Sequence, residues 1–216
     1  MPTQTVMTSA LVSTWLTEAA ASIREHGDHL TQLDAAIGDG DHGTNMRRGF
    51  DAVEKAVAEA GGEPPGKQLT LAGRTLVSTV GGASGPLWGS ALRRAGRALG
   101  DAPEVDGPAL VAALRAAVAA VQELGAAQPG DKTMLDALMP ATDALDASLR
   151  DGAGLPDALR SATEAAREGA AATIPMQARK GRASYLGERS IGHEDPGASS
   201  AALIVAALAR AVERAG

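Results

Sequence analysis

Apolar side chains return every three or four residues along almost the whole chain, in runs that stop at glycine or proline. That spacing places them on one face of an α-helix. Leu11, Trp15, Leu16, Ala19 and Ile23 form the first stripe, and Gly27 is placed to end it. A helix from about Asn45 to Ala60 stops at the Gly61–Pro65 cluster. Others are expected over Leu69–Val80, Leu87–Leu99, Leu110–Leu124, Leu135–Leu149, Pro156–Thr173 and Ala198–Ala215. Eight helices joined mostly by short connections favour antiparallel neighbours. The expected fold is all-α, with one domain over residues 1–216.

Composition supports that reading at one point. The chain is 44% hydrophobic but only 2% aromatic, with alanine making up much of the difference. Alanine has the best helix propensity, whereas strands favour aromatic and β-branched residues. Small side chains also let helices approach closely in a bundle or ring. There is no cysteine, which excludes disulfides and thiolate metal sites. No run of 18 apolar residues occurs, so no membrane span is expected. Met1-Pro-Thr-Gln-Thr5 lacks the features of a secretory leader, and a cytoplasmic location is expected. A net charge of −6 without a basic stripe argues against nucleic acid as a direct ligand.

One connection breaks the pattern. Ile174 to Pro196 has no convincing period, yet it carries Arg179, Lys180, Arg182 and Arg189 together with apolar anchors such as Met176, Tyr185 and Ile191. Long connections of this kind in compact domains are usually functional or disordered. A loop that packs down and presents cations is the expectation.

The chemistry concentrates in Asp34-Ala-Ala-Ile-Gly-Asp39-Gly-Asp41-His-Gly43. Three carboxylates converging in space would repel one another unless a cation sat among them, and Mg²⁺ takes oxygen ligands of this type alongside substrate phosphates. Gly38, Gly40 and Gly43 offer φ > 0 where the loop must turn the acids inward. The spacing does not fit an EF-hand, because the twelfth position counted from Asp39 is Phe50 rather than glutamate. Gly81-Gly82-Ala83-Ser84-Gly85 offers unhindered N–H groups ahead of a helix N-terminus, a place that favours anions. Gly125–Thr133 approaches a P-loop sequence but fails it. Asp131 separates Gly130 from Lys132, and a helix rather than a strand precedes the segment. An acid cluster, glycine loops and a basic loop together form the inventory of a magnesium–nucleotide site.

These strings, with Gly130-Asp-Lys-Thr-Met134, Gly181-Arg-Ala-Ser-Tyr185 and Gly192-His-Glu-Asp-Pro-Gly197, resemble in order the nucleotide-binding L subunit of dihydroxyacetone kinase. The resemblance covers nearly the whole chain. It implies a barrel of eight antiparallel helices with the nucleotide among the loops at one end. It further implies two Mg²⁺ ions on Asp34, Asp39 and Asp41. Nucleotide contacts would fall on His42, Gly43, Thr44, Asn45, Ala83, Ser84, Gly125, Met134, Arg182, Asp195, Pro196 and Gly197. Arg182 would balance charge on the moving phosphoryl group. No role attaches to His193 beyond a structural hydrogen bond.

The family comes in two arrangements, one fused to a dihydroxyacetone-binding K domain and using ATP, the other made of separate K, L and M proteins. This chain begins shortly before its first helix, and its Asp-His-Gly-x-Asn-Met string resembles the phosphotransferase-linked branch. The separate L subunit is therefore expected. ADP would be a retained cofactor, phosphorylated by a phosphohistidine on M, with dihydroxyacetone on K as acceptor. The alternatives are an ATP-using module that serves another ketose-binding subunit, and a nucleotide-dependent partner of a transcriptional regulator. A homodimer is compatible with each.

Overall fold

The computed structural model describes residues 6–215; the first five residues, where the leader question lies, fall outside the described residues. Eight α-helices follow one another around a closed ring. They are α1 (Ser9–Ile37), α2 (His42–Ala60), α3 (Pro65–Thr79), α4 (Ser84–Leu99), α5 (Gly107–Gly125), α6 (Leu135–Arg150), α7 (Leu155–Ala172) and α8 (Pro196–Ala215). Each packs on the next, and α8 returns to α1. Consecutive helices joined by short turns run in opposite directions. The carboxyl ends of α1, α3, α5 and α7 therefore lie at the same end of the barrel as the amino ends of α2, α4, α6 and α8.

The inner stripes predicted from the period are the buried faces. Leu11, Trp15, Leu16, Ala19 and Ile23 of α1 join Phe50, Leu76, Trp88, Leu145, Leu159 and Leu208 in one continuous core. The indole Nε1 of Trp15 donates to the Ile204 carbonyl at 3.0 Å, so the ring closes through a buried hydrogen bond as well as by packing. Helix α5 is long and apolar enough to cross a membrane by length and composition alone, but one face packs into the core between α4 and α6. Two-residue strands, β1 (Met7–Thr8) and β2 (Glu104–Val105), pair antiparallel and tie the entry of α1 to the α4–α5 connection.

Three expectations about local structure are corrected. Gly27 does not end the first helix, because α1 runs 29 residues to Ile37. Its place is at a helix crossing, where a Cβ on Gly43 of α2 would run into the Gly27 carbonyl. The second helix accordingly begins at His42 rather than Asn45. Asp34 thus stands on the last turn of a helix, not in a loop. The long connection contains a 3-10 segment over Arg182–Ser190, kinked at Gly187, and its expected apolar anchors are not buried, since Tyr185 is 87% exposed and Ile191 45%.

Candidate metal and anion site

The acidic trio comes together at the barrel end defined above. One oxygen from each of Asp34, Asp39 and Asp41 lies within 4.8 Å of the others. A carboxylate in the last turn of a helix faces the negative end of the helix dipole. Asp34 answers this by turning to the next helix: its Oδ2 accepts from the backbone N–H groups of Asp41 at 2.9 Å and His42 at 3.1 Å. It thereby caps the start of α2, whose own N-cap residue makes no side-chain bond. Among the three glycines of this stretch only Gly40 has positive φ, at 72°, and it makes the turn between Asp39 and Asp41. Gly38 serves a different need, since a Cβ there would collide with the Asp34 carboxylate. The residues present fit a hard divalent cation: three oxygen donors, close together, with one already oriented by hydrogen bonds.

A cleft of about 400 Å³ opens beside the trio. That is an ordinary volume for a small-molecule site. One wall is apolar, from Ile37, Leu87, Trp88, Val121, Leu124 and Ala127. Gly81 to Ser84 form a second wall, and Asp195-Pro-Gly197 at the start of α8 a third. Lys180 to Ala183 overhang it, and Arg182 Nε sits 3.3 Å from Asp39 Oδ2. Amino and carboxyl ends of helices alternate around this end of the barrel, so the dipoles offset one another, and it is the free N–H groups of the glycine loop ahead of α4 that favour an anion.

His42 is buried beneath the cleft, with Nδ1 at 3.1 Å from Ser84 Oγ and Nε2 at 3.0 Å from Ser200 Oγ. Burial lowers its pKa, against the opposing pull of Asp34 and Asp41. A neutral ring that bridges two hydroxyls fixes the glycine loop to α8. Asp195 caps α8 by accepting from Ala198 N–H at 2.7 Å, and burial raises its pKa to about 7.

Of the site residues expected from sequence, Asp34, Asp39, Asp41, His42, Ala83, Ser84, Gly125, Met134, Arg182, Asp195, Pro196 and Gly197 all line this one cleft. Gly43, Thr44 and Asn45 do not. Gly43 is spent on the crossing with α1, Thr44 faces solvent, and the Asn45 carboxamide accepts from Arg48 at 2.7 Å behind Gly81. Position along a helix explains this, since successive residues of its first turn point in different directions.

Sequence reasoning missed Lys132 and Asp136. Asp136 receives the N–H groups of Gly130 at 2.5 Å and Thr133 at 2.8 Å, which folds the near-P-loop segment back on itself. The spacing Thr133-x-x-Asp136 is that of a capping box, a signal present in the sequence. Lys132 is 1% exposed and points away from solvent, inward beneath the long connection. A buried lysine has no comparable signature.

Fold and site together define a class: a closed barrel of eight antiparallel helices with a carboxylate cluster and an anion-favouring cleft at one end. Residues 36–210 match the family of DAK2 domains, and the chain belongs to that family. It is 43% identical over 199 residues to DhaL, the ADP-binding subunit of the PEP-dependent dihydroxyacetone kinase of Escherichia coli K12, a match covering 92% of this chain and 95% of that one. It is also 43% identical over 187 residues to the L-erythrulose 1-kinase of Mycolicibacterium smegmatis, covering 86% of this chain and 32% of that protein. Among solved structures, the dihydroxyacetone kinase of C. freundii in complex with AMP-PNP and Mg²⁺ superposes with a TM-score of 0.74 at 28% identity, over 95% of this chain and 34% of that chain. This chain therefore spans about a third of the length of the latter two proteins.

Proposed function

We propose that this chain is the nucleotide-holding L subunit of a phosphoenolpyruvate-dependent dihydroxyacetone kinase, acting as one domain over residues 1–216. The observation that carries the reading is the convergence of three carboxylate oxygens within 4.8 Å at the mouth of a glycine-walled cleft. Like charges that close repel, and a divalent cation turns the repulsion into binding. A match of 43% identity that covers 95% of an ADP-binding subunit supports the same reading.

Asp34, Asp39 and Asp41 would hold two Mg²⁺ ions, whose contribution when bound is to neutralise phosphate oxygens. The chain's own residues do the rest. The Gly81–Ser84 backbone and the starts of α4 and α8 would receive the anion, while the wall from Leu87 to Ala127 takes the flat apolar part of the ligand. Arg182, already beside Asp39, has only to turn towards the transferring group to balance its charge. The reading carries a partner on either side of a retained ADP: a phosphohistidine-bearing M subunit as donor, and a K subunit whose dihydroxyacetone accepts the γ-phosphoryl group. A cytoplasmic location belongs to the same proposal.

The test is reconstitution. Purified chain, K, M and a phosphoenolpyruvate-fed relay are mixed, and sugar phosphate is measured with and without added ATP. The expected result is turnover that needs phosphoenolpyruvate and only a catalytic amount of nucleotide, with Arg182→Ala slower by about 10³-fold. Turnover that consumes ATP stoichiometrically and ignores phosphoenolpyruvate would instead establish an ATP-using module.

A further inference from the structure

Among the described residues, Lys132 is the one lysine or arginine that is buried. Its ammonium lies among four backbone carbonyls: Thr173 at 2.9 Å, Met176 at 3.1 Å, Ser190 at 2.7 Å, and His193 in still closer contact. An ammonium has three protons to donate, so four acceptors exceed what directed hydrogen bonding uses. Four carbonyl oxygens converging on one point are the coordination shell of a cation, filled here by a side chain.

The origin of the carbonyls matters as much as their number. Thr173 and Met176 belong to the start of the long connection, and Ser190 and His193 to its end, with Arg182 between them. Neighbouring bonds hold the two feet together: Ala178 N–H to Ser190 Oγ at 2.9 Å, Gly192 N–H to the Ile174 carbonyl at 2.8 Å, and Asp195 N–H to Thr173 Oγ1 at 2.9 Å. Lys132 itself is held at φ 63°, an unusual conformation for a residue with a side chain. The surrounding fold therefore sustains backbone strain to deliver the ammonium to this point.

We propose that Lys132 is a tethered monovalent cation in a carbonyl cage, and that by joining both feet of the 174–195 connection it acts as the positioning residue that keeps Arg182 over the cleft. Potassium and ammonium ions are close in size, so a cage shaped for one accepts the other. Without a cation the buried Ser190 carbonyl and the part-buried Met176 and His193 carbonyls would lose their partner, with only Thr173 keeping the Met176 N–H, and the loop would be expected to lift to hydrate them.

Lys132→Ala tests this, because it leaves room for a free cation where the side chain ended. In LiCl, trypsin should cut the variant after Arg179, Lys180, Arg182 or Arg189 about ten-fold faster than wild type, and Mg–ADP affinity by calorimetry should fall about ten-fold. KCl, NH₄Cl or propylammonium chloride should restore most of both. Lys132→Met, which fills the space with an apolar chain, should show the defect without rescue. Wild-type nicking and affinity in LiCl, a defect of equal size in every salt, or failure to fold in all of these salts would each overturn the cage. Only the link to Arg182 rests on the proposed kinase role. Nicking needs no nucleotide, so the cage can stand or fall while the kinase reading is judged separately.

Discussion

Asp34 uses a single carboxylate for two tasks, capping α2 with one oxygen and joining Asp39 and Asp41 with the group as a whole. Its dual use was half legible beforehand, since carboxylates spaced among glycines announce a cluster but not a cap. Asp195 shows the limit more sharply. In the sequence it opens an ordinary Asp-Pro-Gly turn, yet in the fold it is buried and its pKa rises from 3.8 to about 7. Between those values the folded state keeps a proton that the unfolded chain has lost. Stability from this group is therefore present below pH 4 and is lost as pH rises towards 7. Asp195→Asn should remove that slope. Urea midpoints of the metal- and nucleotide-free protein between pH 4.5 and 7.5 should fall more steeply with pH for wild type than for the variant; parallel curves would contradict the assignment.

Helices were the most legible elements, and their ends the least. The period found every α-helix, because burial of one face is written into the order of apolar residues. Gly27 misled because glycine stops helices more often than it lets two of them touch. Only the crossing of α1 with α2, where Gly43 meets the Gly27 carbonyl, reveals the second use. Gly43→Ala should force the two helices apart and cost about 1–3 kcal/mol, measured by chemical denaturation. Because α2 begins at His42, the same change should also weaken Mg²⁺ binding. A variant of wild-type stability would show that the crossing is looser than its geometry implies. That the 174–195 connection would pack down and present cations was legible from its length and its arginines. Its shape was not, because backbone carbonyls gathered by Lys132 leave no pattern in side-chain order.

For the whole molecule, the cleft draws on α1, α2, α4, α5 and α8, on the loops ahead of α4 and α6 and on the long connection, so a ligand bound there ties together parts far apart in sequence. Mg–ADP at a hundred times its Kd should stabilise the fold by about 2.7 kcal/mol, a rise in Tm on the order of 5–10 °C for a chain of this size. Asp39→Ala should abolish most of that rise while leaving the unliganded Tm near wild type. An equal rise in the variant would detach the nucleotide from the acidic trio. Eight amphipathic segments, their alternating directions, and the identity of the three carboxylates were determined by the sequence itself, because periodicity, turn residues and donor chemistry are local properties. Closure of α8 on α1, the exclusion of Gly43, Thr44 and Asn45 from the cleft wall, and the burial of Lys132 and Asp195 were decided only by tertiary structure. They depend on which surfaces meet across long stretches of chain, such as the 189 residues between Trp15 and Ile204, and no local order of side chains encodes that meeting.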